Sequence, residues 1–289
     1  MNNLTLLCIE KIYLYISYTS EKGFDEVVSA DFWNKYKNGQ TMLGTHITCN
    51  DPQQTELIAN VGFDYFWIDT EHTVIERYNL LMHLIAAKAG GVPAFVRIPW
   101  NDLVLAKPIL DIGVDGIVFP MINTGEDALN AVKYCLYPPE GMRGFGPRRA
   151  IRFGLDSVAD YISSNSKEII KLIQIETKKA VENIDDIANT PGVDILVLGP
   201  CDLSGAFGKL NQLLDPEIQK VYNYVVKRAH AAGKPVLVSN GNYSEEYIKM
   251  WLEMGIDMIT VGSEVSYIMN GAKTVKKNFE QVISTQNKD

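Results

Sequence analysis

Residues 65 to 74 read "YFWIDTEHTV": four large apolar residues lead straight into Asp69, Glu71 and His72. A chain that only reverses there needs a Gly or an Asn, and this one supplies two carboxylates and one of four histidines. Asp69 precedes His72 by three residues, close enough for a carboxylate to fix the imidazole tautomer and raise its basicity. The pair therefore reads as a group that moves a proton. Two further apolar runs end in acids, "IKLIQIE" in Glu176 with the amide of Gln174 before it, and "DILVLGPCD" in Asp202. Converging carboxylates repel unless they share a proton or a cation. Hard oxygen donors with open positions suit Mg²⁺ or Mn²⁺; the plainer alternative is that one or both acids cap the next helix. Arg97 closes "AFVRIP", where a buried guanidinium needs an anion. That anion is a substrate carboxylate or developing enolate, or else Asp69 or Glu71 in a structural ion pair. In "GPCDLSG" the backbone N–H groups of Cys201 and Asp202 offer a place for a carboxylate, unless Gly199 and Pro200 are plain turn residues. His46, at the end of another apolar run, is a second-rank participant, while His83 and His230 read as surface or capping residues.

These residues need elements that bring them together. Four junctions share one pattern, "GFDYFWI" from Gly62, "GVDGIVF" from Gly113, "GVDILVL" from Gly192 and "GIDMITV" from Gly255. Each has a Gly where a helix stops, then an apolar residue, an Asp and a run of β-formers. With the other apolar runs they give strands near 42–48, 64–69, 94–98, 116–120, 170–176, 194–199, 235–239 and 258–262. Amphipathic stretches between them make the sheet parallel. Eight such units predict an α/β fold, a (β/α)8 TIM barrel, which gathers its chemistry at the C-terminal strand ends; an open doubly wound sheet has the same local signals. The interval 121–169 is longer than one helix requires and carries the Arg- and Gly-rich "YPPEGMRGFGPRRAIRFG". Residues 264–283 place Val265, Ile268, Met269, Ala272, Val275, Phe279 and Val282 on one helical face. That stripe closes the barrel or docks on another subunit.

The chain has 289 residues, is 46% hydrophobic and has a formal net charge of −8. It is long enough for one large core, expected over residues 35–289, with an N-terminal extension over 1–34. The acidic balance and the lack of basic runs exclude a nucleic-acid or anionic-membrane footprint and leave small-molecule chemistry. Cys8, Cys49, Cys135 and Cys201 form no CxxC pair, which fits a reducing, cytoplasmic setting. "LTLLCIEKIYLYI" is interrupted by Glu10 and Lys11 and is too short to span a membrane, so it reads as a peripheral segment packing on the domain.

The motifs "DTEH", "RIPWND", "YPPEGMRGFG", "QIET" and "GPCDLS", in this order and spacing, resemble the HpcH/HpaI aldolases, metal-dependent class II pyruvate aldolases of the phosphoenolpyruvate/pyruvate barrel superfamily. The resemblance covers roughly residues 35 to 283. It implies reversible aldol cleavage of a 4-hydroxy-2-oxo acid to pyruvate and an aldehyde. Related enolate chemistry is the alternative: citrate-synthase-like or citrate-lyase-like, or oxaloacetate decarboxylation. It further implies Glu176 and Asp202 as ligands of a divalent metal, Mg²⁺ or Mn²⁺ with Co²⁺ a further option. Arg97 would steady the enolate oxygen, and His72, paired with Asp69, would act as base through a water. Gln174 and the Cys201 and Asp202 amides would meet the keto acid, with Arg143 on the aldehyde side and Glu71 ordering Arg97 or the metal's waters. A homo-oligomer follows too, a hexamer built as a trimer of dimers that exchange the C-terminal helix. Two departures bear on the aldehyde: His46 stands where many members have Trp, so the acceptor side should be more polar, and the loop "GPRRAIRFG" carries Arg148 and Arg149 where the best-known aldolases have small residues.

Overall fold

The computed structural model describes residues 24–165 and 168–286. Two units emerge, Met1–Gln40 and Thr41–Asp289. The first holds helix α1 (Phe24–Lys37); residues 1–23 of the expected extension, with their packing, lie outside the described residues.

In the second unit, eight parallel strands close into a barrel in sequence order. They are β1 (Met42–Ile47), β2 (Tyr65–Asp69), β3 (Ala94–Arg97), β4 (Gly116–Phe119), β5 (Ile170–Ile175), β6 (Ile195–Leu198), β7 (Val236–Ser239) and β8 (Met258–Ser263). Each lies within about a residue of its expected place, and the closure of β1 on β8 decides for the barrel over the open sheet. Side chains alternate across a strand. Phe66, Ile68, Val96, Ile173, Leu196 and Val238 belong to the helix-covered core, so His46, Asp69, Arg97, Gln174 and Ser239 alternate to the barrel interior.

The recurring Gly-x-Asp junction is built for the opposite end. Gly62, Gly113, Gly192 and Gly255 all take the left-handed conformation that ends a helix. The following acids, Asp64, Asp115, Asp194 and Asp257, each accept the backbone N–H at the start of the preceding strand, from Leu43, Ala94, Lys171 and Val236, at 2.8 Å. The motif is thus a clip that fixes strand register at the barrel floor.

At the seam, Gly44 pairs with Thr260 but His46 pairs with Ser263, so β8 carries one extra residue. That bulge falls at Gly262, with φ +64°, where an added Cβ would sit 2.4 Å from the Tyr267 hydroxyl.

Between β1 and β4 run α2 (Pro52–Ala59), α3 (Arg77–Ala89) and α4 (Leu103–Asp111). α5 (Gly125–Cys135) follows β4, and α6 (Lys178–Glu182) and α7 (Ile184–Ala188) follow β5. Then come α8 (Pro200–Ala206), α9 (Pro216–Ala231), α10 (Glu245–Glu253) and α11 (Glu264–Gln286). The long interval after α5 contains a 3₁₀ turn, Arg149–Gly154. His83 is fully buried in α3 and shares a hydrogen bond with Thr55, which corrects its reading as a surface residue.

Candidate active site

A cavity of about 310 Å³ opens at the C-terminal ends of the strands. His46, Asp69, His72, Arg97, Gln174 and Asp202 line it, with Cys201 at the start of α8 and Ser239 at the end of β7. A larger cavity of about 420 Å³ lies between α3 and α4, lined mainly by Ile75, Leu80, Ile98, Val104 and Ile109. It lacks the convergence of ionisable groups found at the barrel mouth.

Register explains the central ion pair. Asp69 and Arg97 are direct partners across β2 and β3. The guanidinium grips the carboxylate with two parallel bonds, Nε to Oδ1 at 3.0 Å and Nη2 to Oδ2 at 2.6 Å. Its third nitrogen, Nη1, lies 3.1 Å from Glu71 Oε2, and the cation stacks on Trp67 at 5.4 Å from the ring centre. Burial raises the Asp69 carboxyl, yet the Arg97 bonds and charge outweigh it and hold the group below the usual range. Burial has the upper hand at Glu71, which is pushed up despite Arg97.

This geometry corrects the expected Asp69–His72 side-chain pair. Both Asp69 oxygens are taken by Arg97, and Oδ1 also accepts the amides of Glu71 and His72. The three-residue spacing therefore produces a backbone turn, not an imidazole contact. The carboxylate beside the His72 ring is Glu71, with Nε2 and Oε2 3.7 Å apart.

Glu176 is almost wholly buried just beyond β5. Its oxygens accept the Met121 amide and the Gln174 side-chain amide. Desolvation pushes its carboxyl up to about 7; the amide bond opposes that shift, and the charges of Asp202 and Glu71 add to it. Gln174 Oε1 is buried without a hydrogen-bond partner. Among the described residues no cluster of three or more His, Cys, Asp or Glu is poised as a cation cage. The donor set nonetheless fits a hard divalent ion that keeps open positions: two carboxylates, one of them destabilised by burial and by the neighbouring acids. Met121 was not anticipated from the sequence. Its φ of +58° is unusual for a side chain of this size and aims its amide at Glu176. The sequence hints at it only by its place two residues beyond β4.

Arg143 does not reach the cavity. It is fully buried under Tyr137 and Tyr161, and donates to Asp111 at 3.0 Å and to the Tyr161 hydroxyl at 3.1 Å. An Arg in this apolar pocket is held by its counter-ion and aromatic faces. Arg149 is likewise spent on structure, capping the end of α4 through the carbonyls of Ile112 and Gly113. His46 does line the cavity, and its Nδ1 meets the Gly262 carbonyl and its Nε2 meets Ser239 Oγ, both at 2.8 Å.

Residues 42–270 match the HpcH/HpaI aldolase/citrate lyase family. The chain is 35% identical over 257 residues to a 5-keto-4-deoxy-D-glucarate aldolase of Shigella boydii serotype 18, covering 86% of this chain and 98% of the relative. Among solved structures, an HpcH/HpaI aldolase/citrate lyase family protein from Burkholderia cenocepacia J2315 superposes with a TM-score of 0.78 at 28% identity, covering 84% of this chain and 95% of that one. The citrate synthase SbnG superposes with a TM-score of 0.76 at 26% identity, covering 87% and 98%.

Proposed function

The chain belongs to the HpcH/HpaI aldolase/citrate lyase family, and from that premise we propose that it reversibly cleaves a 4-hydroxy-2-oxo acid into pyruvate and an aldehyde. One observation carries the reading: Arg97, locked by Asp69, lines the same barrel mouth as Asp202, and the buried Glu176 carboxyl is near enough to feel the Asp202 charge.

Glu176 and Asp202 would hold a divalent cation, Mg²⁺ or Mn²⁺ with Co²⁺ as a third choice. Bound there, it supplies Lewis-acid polarisation of the 2-oxo group. The first-turn amides of Cys201 and Asp202, which lack acceptors within α8, receive the substrate carboxylate, and the free Gln174 Oε1 faces the same end. His72, beside Glu71, takes the C4 hydroxyl proton through a water. As the C3–C4 bond breaks, its electron pair becomes the enolate of pyruvate, whose oxygen gains charge that Arg97 offsets. Among side chains Asp69 bonds to Arg97, keeping its plane fixed, and its Oδ1 also ties down the Glu71–His72 turn. Return of the proton held by His72, through the water, to C3 then gives pyruvate.

A related carbon–carbon reaction on another electrophile has the likeness to the citrate synthase SbnG in its favour, since it needs the same enolate half. With Arg143 and Arg149 committed to structure, the polyanion-binding loop such a reaction wants is weakened. A Schiff-base route needs a desolvated Lys at a strand end. Lys171 is paired with Asp194 on the floor, and Lys178 stacks on Phe207.

The test is pyruvate release from a 4-hydroxy-2-oxo acid before EDTA, after EDTA, and after Mg²⁺ or Mn²⁺ is restored. Loss and recovery is expected. A borohydride-trapped pyruvate adduct, or turnover of a thioester only, would overturn the reading. Among the described residues no helix is long and apolar enough to cross a membrane. The sparse free thiols at Cys49, Cys135 and Cys201 support a cytoplasmic enzyme with small-molecule partners. The apolar side chains of Val265, Ile268, Val275 and Phe279 stand exposed along α11, which supports a homo-oligomer joined through that face; the exchanged-helix dimers and hexamer rest on the family resemblance.

A further inference from the structure

The wall of the cavity formed by β7, β8 and β1 faces, across the closed barrel, the strands that carry Arg97 and Glu176. Its polarity is set by backbone geometry. The bulge at Gly262 turns that residue's carbonyl onto His46 Nδ1 at 2.8 Å. A carbonyl only accepts, so Nδ1 carries the ring proton. Nε2 of the neutral ring is then a bare acceptor, and the contact with Ser239 Oγ at 2.8 Å requires the serine hydroxyl to donate to it. Burial, with Arg97 nearby, keeps the ring neutral by lowering its affinity for a second proton. With its proton committed to His46, Ser239 Oγ offers the cavity lone pairs alone.

We propose that the Ser239–His46 pair is a specificity-determining subsite that accepts a hydrogen bond from a hydroxyl on the aldehyde half of the substrate, so that hydroxyaldehydes are preferred over plain aliphatic ones. This inference rests on the aldolase reading and adds the chemical class of the second product. A ligand without that hydroxyl leaves the acceptor lone pairs of Ser239 Oγ unmet, which lowers its turnover relative to the hydroxylated one. Gly262 is part of the device: its left-handed φ and the close Tyr267 hydroxyl exclude a side chain there.

The experiment measures kcat/KM for addition of pyruvate to glycolaldehyde and to acetaldehyde, in the metal-loaded wild type, in Ser239→Ala and in Ser239→Thr. The glycolaldehyde-to-acetaldehyde ratio should fall about tenfold in Ser239→Ala, the worth of one neutral hydrogen bond, chiefly through a higher KM for glycolaldehyde. Ser239→Thr, which keeps the hydroxyl, should hold the wild-type ratio. A merely structural role would depress both aldehydes together, and an unchanged ratio in Ser239→Ala overturns the subsite. Nitrogen NMR of His46 in the wild type should read a protonated Nδ1 and a bare Nε2; the opposite tautomer overturns it as well. A wild type that turns over neither aldehyde defeats the aldolase reading itself and takes the subsite with it, an outcome distinct from an enzyme that is active but indifferent to Ser239.

Discussion

At the mouth of this barrel, the geometry of one carboxylate sorts the remaining groups. Asp69 has two oxygens and a partner guanidinium directly across the ladder, so it serves Arg97 and leaves His72 to Glu71. A lysine cannot reproduce the two parallel bonds. Arg97→Lys should therefore lower kcat for pyruvate formation by about a hundredfold or more, the scale seen when an enolate or oxyanion donor is lost. Steady-state cleavage rates check this, and a variant within tenfold of wild type would remove Arg97 from the chemistry. The Glu176 carboxyl makes a second prediction. Its folded value near 7 lies above its ordinary 4.5, so the folded metal-free protein holds a proton that the unfolded chain has already released. Its contribution is fully present below about 4.5 and is lost as pH rises through 7. The Tm of the metal-free protein should decline across that window, and Glu176→Gln should flatten the decline. Because a cation must displace the same proton, Mn²⁺ affinity should weaken about tenfold per pH unit below 7. Calorimetric titration that finds a pH-independent affinity would refute Glu176 as a ligand.

The strands and their junctions divide labour between the two ends of the barrel. The four Gly-x-Asp junctions were plain in the sequence as helix stops feeding strands, and the observed left-handed glycines agree. Their acids add a cross-strand clip that no single junction reveals, because each accepts from a strand about twenty residues back in the chain. Asp115→Ala frees the Ala94 amide on the floor, and the variant should lose about 1–2 kcal/mol of stability while keeping the metal dependence of turnover, since barrel chemistry sits at the other end. Chemical denaturation measures the loss; an unchanged midpoint would mean the clip carries no stability. The long connection between β4 and β5 teaches the converse. Its arginines looked like substrate groups because they stand out in an acidic chain, yet Arg143 is buried on tyrosines and Arg149 caps α4. Composition marks such a segment as unusual, and only packing says which way its side chains turn.

For the molecule as a whole, α11 is anchored on the barrel by Glu264 and Tyr267 in its first turn, and beyond them its apolar face stands exposed among the described residues. It runs from Glu264 to Gln286, and Val275 and Phe279 are among its most exposed apolar residues. Burying such a stripe against a second copy removes that surface from water at roughly 25 cal/mol per Å². Val275→Asp with Phe279→Asp should shift the protein to a smaller species in light scattering, with the barrel still folded by circular dichroism. An assembly of unchanged mass would dismiss α11 as the interface.

The periodicity of apolar runs and the Gly-x-Asp punctuation determined eight strands in order, because a buried parallel strand must be nearly all apolar and each helix must stop before it. The same text placed Asp69, Arg97, Gln174, Glu176 and Asp202 at strand ends, and a parallel barrel brings such ends to one mouth. Tertiary structure alone decided which of them touch. The register across β2 and β3 gave Asp69 to Arg97, the turn at Met121 aimed an amide at Glu176, and the bulge at Gly262 fixed the proton on His46. Those contacts join residues far apart in the chain, and a hydrogen bond depends on angles and tenths of an ångström that residue type and spacing do not encode.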